Sequence, residues 1–134
     1  MSGDISVRST SYGVDNRDWL ASRHGEDMTV GLTLDIALFT KNTHYPEGYV
    51  RSGQPLGRVT ATGLYGPYDN SANDGREVCR YLLFSFVRAI DPNNGNTLAK
   101  VGGAGYLHGL VKESKLPVAI DSAGKADLSQ ITWI

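Results

Sequence analysis

Glycine is the sequence feature that most limits the folds open to this chain. It supplies 16 of the 134 residues, well above its share of about 7% in average proteins. Glycine weakens the interior of a helix, whereas tight turns, bulges and close backbone approaches favour it. The chain is therefore expected to contain many turns and little helix. Its length predicts one domain, because domains most often have about 100–150 residues.

Between these turn signals lie short runs rich in β-branched, aromatic and other apolar residues, which predict strands. The runs occupy residues 29–40, 49–51, 57–65, 78–90, 97–113, 115–120 and 131–134. The run at 57–65 alternates with period two, as a half-buried strand does, so that Val59 and Tyr65 share one face. The most apolar run, 78–90, also fits helical spacing. Turn sequences on both sides of it favour a strand that forms a long hairpin with 97–113.

Helix is predicted at one place only. Residues 121–130 predict one or two helical turns with Asp121 or Ser122 as the N-cap, and Gly124 weakens this helix. A bulge or a close backbone approach is predicted at three glycines, Gly102, Gly103 and Gly105. The predicted fold class is therefore mainly β, a compact domain over residues 29–134 with at most one short helix.

The first 28 residues differ in character from the rest. They are polar, rich in serine, aspartate and arginine, and show no helical or strand period, so they cannot bury enough surface to fold alone. They are predicted to form an extended N-terminal arm. Because a tail without a partner rarely needs a Trp-Leu pair, Trp19 and Leu20 are expected to anchor this arm on a partner surface. The alternative is an unattached tail.

Charge and hydropathy argue against two classes of partner. The chain has 13 Lys and Arg residues against 14 Asp and Glu residues, a formal net charge of −1. It therefore lacks the net positive charge that would attract nucleic acid or an acidic membrane. No run approaches the ~20 apolar residues of a membrane span, and the N-terminus lacks the apolar core of a signal peptide. The protein is therefore expected to stay in the cytosol or in something assembled there.

The single cysteine and the three histidines give weak signals for chemistry. Cys79 lies in an apolar run, so it is expected to be a small buried side chain, and alone it cannot form an internal disulfide. His24, His44 and His108 lack the spacing of metal ligands. A catalytic pair of Cys79 with His108 stays open. No metal or cofactor is expected.

The loop DNSANDG is crowded with carboxylate and amide side chains. If an EF-hand calcium loop began at Asp69, Asp74 would occupy the position that requires glycine, and Arg80 would occupy the position that requires glutamate. Turn residues of this kind are what the backbone itself needs here, so the loop is expected to be a shaped, non-catalytic surface. Beside it, Tyr65 and Tyr68 offer the large amphipathic area that suits interfaces.

Four motifs occur in a characteristic order between Gly48 and Ile134. A Ser-Gly-x-x-Leu-Gly strand entry is followed by a Tyr-Asp turn closing in Asp-Gly, an apolar strand ending in Asp, and a Leu-Pro before a helical turn. The residues are Ser52, Gly53, Leu56, Gly57, Tyr68, Asp69, Asp74, Gly75, Asp91, Leu116 and Pro117. In this order and spacing the chain resembles the head decoration proteins of tailed phages, the broad family that includes the capsid-stabilising protein of phage lambda.

That resemblance implies a compact fold of the β-tulip type and a structural, non-enzymatic role. Members of this family bind the outside of the expanded capsid as homotrimers, and their N-terminal arm adds to a sheet of the major capsid protein. The chain would then be a virion protein of the outer capsid surface, made in the host cytoplasm, with no nucleic-acid, membrane or cofactor partner. The implied capsid-binding arm residues are Ile5, Val7, Val14, Trp19 and Leu20. The implied subunit-interface residues are Tyr65, Pro67 and Tyr68.

Two other functions stay open. The stretch DSAGKADLS at residues 121–129 resembles the first phosphate-contacting motif of trimeric dUTPases, which would give a magnesium-dependent nucleotide hydrolase using Asp121 and Asp127. One extra residue interrupts that motif, and only five residues follow Ser129 to hold the later motifs. The other option is a small adaptor that binds peptides along a strand edge.

Overall fold

The structure is a computed structural model that describes residues 17–21, 29–91 and 93–134. Its fold is mainly β, as predicted from the sequence. The strands are β1 (Val30–Asp35), β2 (Tyr49–Val50), β3 (Pro55–Arg58), β4 (Tyr65–Pro67), β5 (Tyr81–Leu83), β6 (Val87–Arg88), β7 (Lys100–Tyr106), β8 (Gly109–Val111) and β9 (Ile131–Trp133). The helices are α1 (Lys41–His44) and α2 (Ser122–Asp127), and 3-10 turns lie at Ile36–Leu38 and Glu113–Lys115. The described residues thus contain two short α-helices, one more than expected.

Five strands close into a barrel in the order β1-β4-β3-β5-β7. Strand β1 pairs antiparallel with β7 over six residue pairs, beginning with Val30 opposite Gly105, and parallel with β4 at Leu34 opposite Tyr65. Strand β3 joins its neighbours β4 and β5 by antiparallel pairing. The predicted pairing of residues 78–90 with 97–113 is confirmed at β5 and β7, where Leu82 lies opposite Tyr106. The predicted long hairpin is wrong, because each run divides into two strands, and β6 and β8 belong to other sheets.

A second, smaller sheet lies outside the barrel. Its centre is β8, which pairs parallel with β9 on one side. On the other side, residues 17–21, here called the clip, pair antiparallel with β8 through Leu20 opposite Val111. Strands β2 and β6 form a further two-stranded sheet.

Two hydrophobic cores result from this arrangement. The barrel core contains Leu32, Leu34, Ile36, Phe39, Tyr45, Val50, Leu56, Leu83, Val87 and Ala89. The outer core contains Trp19, Cys79, Leu82, Tyr106, Val111, Ile120, Leu128 and Ile131. Because alternate residues of a strand face opposite sides, Leu82 of β5 packs in the outer core and Leu83 packs in the barrel core. The wall formed by β5 is therefore shared by both.

Two predicted strands are wrong in detail. Residues 57–65 are not one strand, because β3 ends at Arg58 and the chain turns back to β4, so that Arg58 lies opposite Tyr65. The turn is closed by the Gly63 amide bonding to the Val59 carbonyl, with Gly63 at a positive φ of 74°. Residues 115–120 are not a strand, since the Glu113–Lys115 turn leads directly into a Leu-Pro segment.

The first predicted strand ends earlier than expected. Strand β1 stops at Asp35, whose carboxylate accepts a hydrogen bond from the Ala37 amide at 3.2 Å and caps the 3-10 turn that follows. At the other end of the chain, the predicted helix is confirmed as α2, with Asp121 as its N-cap. The predicted close approach at the glycines is confirmed at Gly105, where an added Cβ would lie 2.6 Å from the Tyr81 ring.

Candidate functional site

The clip places Trp19 inside the domain. Its side chain is fully buried, and the indole Nε1 donates to the Ser52 hydroxyl at 3.1 Å. The Ser52 hydroxyl in turn donates to the Phe84 carbonyl at 2.6 Å. The indole also makes an edge-to-face contact with Tyr106, with ring centroids 5.3 Å apart. Trp19 therefore has both its apolar body and its polar edge satisfied by its own chain.

The expectation that Trp19 anchors on a partner surface is therefore wrong. An indole with 0% exposure and an internal hydrogen bond has no surface to offer another protein. Leu20 is partly buried and packs against the same outer core. The other arm candidates, Ile5, Val7 and Val14, lie outside the described residues, and their role stays a prediction.

Two residues of the Trp19 pocket were not recognised as functional from the sequence. Ser52 supplies the acceptor for the indole, and Gly53 leaves room for its ring. A Cβ added to Gly53 would lie 2.8 Å from Trp19 Nε1 and 2.9 Å from Pro117, and Gly53 has a positive φ of 94°. The only sequence signal was the Ser-Gly pair itself, and nothing in it indicates a tryptophan 33 residues away.

The loop between β4 and β5 is held by its own residues and by contacts with β3 and with the turn between β3 and β4. Gly57 packs against the backbone of Arg76, where an added Cβ would lie 2.6 Å from its Cα. The Thr60 amide donates to the Asp74 carbonyl at 2.9 Å. The Asp74 carboxylate pairs with the Arg76 guanidinium at 3.0 Å. This internal bonding gives the loop one defined shape.

The loop carboxylates are engaged inside the loop. Asp69 accepts hydrogen bonds from the hydroxyl and the amide of Ser71, which lower the pKa of Asp69. The pKa of Asp74 is also lowered, chiefly by the Arg76 amide. Within the part of the chain that the structure describes, no group of three or more His, Cys, Asp and Glu side chains could hold a metal ion.

The three interface candidates differ in accessibility. Pro67 is buried, because it lies opposite Leu56 in the barrel wall, so its predicted contact with another subunit is wrong. Tyr65 is half-buried against Tyr81, with ring centroids 5.7 Å apart. The Tyr68 hydroxyl donates to Asp121 at 2.7 Å, which ties the loop to the start of α2. Tyr65 and Tyr68 keep exposed surface, and their interface role stays a prediction.

Cys79 is a buried structural residue, as predicted. It is 1% exposed, and burial raises the pKa of its thiol to about 12. A buried thiol with a raised pKa is a poor nucleophile at neutral pH, so its burial gives no support to a catalytic pair with His108. His44 accepts a hydrogen bond from the Thr40 amide at its Nδ1, at 2.8 Å. His24 lies outside the described residues.

The two carboxylates of the dUTPase-like stretch bind groups of their own domain. Asp121 Oδ1 accepts from the Gly124 amide at 2.7 Å and from the Tyr68 hydroxyl. Asp127 Oδ2 accepts from the Cys79 amide at 2.9 Å. Both side chains therefore stabilise the packing of α2 against the barrel.

A shallow groove of about 400 Å³ lies beside the C-terminal Ile134 and is lined by Glu113, Ser114, Leu116 and Ala119.

None of the helices in the described ranges is long and apolar enough to span a membrane. Comparisons with family models, with curated proteins and with solved structures find no match to this chain.

Proposed function

We propose that this chain is a structural protein that decorates the outside of an expanded tailed-phage head. It binds the major capsid protein as a homotrimer through its N-terminal segment. The observation that carries the proposal is how that segment is attached. Residues 1–16 join a compact β domain at the clip, where Trp19 is fully buried. A polar segment held at one end by a rigid domain suits docking by strand addition.

Other features of the chain support this proposal. The order of motifs between Gly48 and Ile134 resembles that of the decoration proteins. The loop between β4 and β5 is a defined surface whose carboxylates bond within the loop. Asp121 and Asp127 hold the position of α2, so the residues of the competing hydrolase reading have structural partners.

Decoration would stabilise the head by mass action. A ligand that binds the expanded capsid and not the unexpanded one favours the expanded state. Three arms on one trimer raise the effective concentration of each, because the first contact holds the others near their sites. The protein then needs neither a catalytic group nor a cofactor to act.

Co-sedimentation tests the proposal. The purified protein is mixed with expanded, undecorated heads of the phage that encodes it, with unexpanded proheads in parallel. We expect saturable binding to expanded heads only and a higher temperature of head rupture. Binding to neither particle would overturn the proposal.

Two companion measurements separate the alternatives. Deletion of residues 1–16 removes none of the described residues, and we expect the truncated protein to stay folded and to lose binding. Full decoration by this truncated protein would contradict docking through the N-terminal segment. Magnesium-dependent hydrolysis of nucleotides, lost in Asp127→Ala, would support the hydrolase instead.

A further inference from the structure

The clip is bonded to the domain through its main chain. The Ala21 amide donates to the Leu110 carbonyl at 3.0 Å, and the Lys112 amide donates to the Trp19 carbonyl at 2.7 Å. These two bonds bracket Leu20 and Val111, which form a non-hydrogen-bonded antiparallel pair. In such a pair the Cα atoms lie about 4.5 Å apart and the side chains are close.

Side chains hold the clip from both directions. The Trp19 indole fills the pocket beside Gly53 and bonds to Ser52. The Arg17 guanidinium lies 4.5 Å from the centroid of the Phe84 ring. This cation–π contact lies directly after the C-terminal end of residues 1–16. The clip is thus a short segment with a buried aromatic anchor and a strand pairing. Residues 22–29 separate it from β1.

We propose that the clip positions the docking arm and that Trp19 is its positioning residue. Trp19 touches no partner, and it fixes the point from which residues 1–16 reach one. This inference rests on the proposed decoration function and assigns to the tryptophan a role that differs from direct capsid contact.

The physical reason is the length of the tether. With the clip closed, an arm residue near position 10 is held from Arg17, about 7 residues away. With the clip open, it is held from Thr29, about 19 residues away. Effective concentration falls roughly as the −3/2 power of tether length, so opening the clip lowers it about fourfold for each arm that binds after the first. In a trimer this effect multiplies over the second and third arms.

Two variants open the clip without changing residues 1–16. Trp19→Ala removes the anchor. Ala21→Pro removes the amide that bonds to the Leu110 carbonyl and substitutes no residue of the outer core. We expect each to weaken binding to expanded heads by about fourfold or more. Trp133→Ala is the matched control, because it removes the other tryptophan at the outer core from β9, on the opposite side of β8 from the clip. We expect its binding to be unchanged.

A disulfide that closes the clip again makes the test specific. Leu20→Cys with Val111→Cys meets the geometry of a disulfide, whose Cα atoms lie 4.4–6.8 Å apart. Cys79 is buried with a raised pKa and does not compete for this pairing. In the Ala21→Pro background, we expect oxidation to restore binding and reduction to remove it again.

Trypsin gives a readout that is independent of capsids. Arg17 and Arg23 flank the clip, so we expect faster cleavage there in Ala21→Pro and slower cleavage once the disulfide forms. Circular dichroism checks that the domain stays folded.

Each outcome of the binding series decides a claim. Failure of the wild-type protein to bind expanded heads overturns the proposed function and this inference together. Binding by the wild type and equal binding by Ala21→Pro overturns only the inference. Weakened binding that the disulfide fails to restore also overturns it, since the loss would then arise from the substitution and not from an open clip.

Discussion

The barrel core and the outer core are built from the chain in different ways. Every buried residue of the barrel core lies between Leu32 and Ala89, and strands in register surround it. The outer core combines Trp19 with residues 79–131 and includes a hydrogen bond from the indole to Ser52. The barrel core thus depends on neighbouring strands. The outer core forms only when segments far apart in sequence meet.

This difference gives each core its own observable. The chain has two tryptophans, and both pack in the outer core. Tryptophan fluorescence therefore reports on the outer core, whereas far-ultraviolet circular dichroism reports on all the strands. Because Leu82 serves the outer core and Leu83 the barrel core, the shared strand β5 should make the two cores unfold together.

The largest expected effect tests this coupling from the barrel side. Leu34 is fully buried in β1, so Leu34→Ala should lower the free energy of unfolding by about 3 kcal/mol through lost burial and a residual cavity. Urea titration should show fluorescence and circular dichroism shifting to the same lower midpoint. Thr33→Ala, an exposed change in the same strand, is the control. Separate midpoints would show that the cores unfold independently.

A smaller effect is expected from crowding the barrel backbone. Gly57→Ala places a Cβ 2.6 Å from the Arg76 Cα, where backbone and not a flexible side chain must move. Overpacking of this kind costs about 2 kcal/mol. Gly31→Ala is the matched control, because nothing lies within 4 Å of its added Cβ. Thermal unfolding should separate the two, and equal melting temperatures would contradict the close approach.

The outer core should respond to loss of its polar contact. Ser52→Ala leaves the buried Trp19 indole and the Phe84 carbonyl without a partner. Leaving buried polar groups unpaired should cost about 1–2 kcal/mol, measured by urea unfolding with fluorescence detection. Ser114→Ala, at an exposed serine, should leave the midpoint unchanged. A neutral Ser52→Ala would mean that the hydroxyl does not hold the indole.

The smallest effect concerns pH at the edge of the barrel core. Burial, and then the nearby Arg51 charge, lower the pKa of His44 from its usual 6.5. The folded state therefore binds fewer protons than the unfolded state, so stability falls as pH drops below 6.5 and stops falling below the folded pKa. Protonation also removes the Nδ1 acceptor of the Thr40 amide. His44→Gln, which does not titrate, should reduce the slope of stability against pH below about 6.5. An unchanged slope would show that other titratable groups cause the pH dependence of stability.

Local signals in the sequence predicted part of this fold correctly. The Asp121 cap of α2, the burial of Cys79 and the strand at the C-terminus each depend on residues close together in the chain. The mainly β class followed from glycine and the short apolar runs.

The predictions failed where contacts between residues far apart in the sequence determine the local structure. Alternation at residues 57–65 is compatible with one strand or with a tight turn between two strands. The contacts of Thr60 with Asp74 and of Gly57 with Arg76, which lie farther along the chain, select the turn. Trp19 was placed on a partner surface because its polar surroundings in sequence give no sign of Ser52 and Gly53. A polar segment can still carry one residue that belongs to the core of the domain.

The closed barrel has a consequence for behaviour at high concentration. An open sheet presents unpaired main-chain groups along its edge strands, and these invite edge-to-edge aggregation. Closure of the five strands pairs β1 with β4 at Leu34 and Tyr65, so this sheet has no free terminal strand. Its largest sheet therefore offers fewer main-chain groups to a second copy at high concentration than an open five-stranded sheet would.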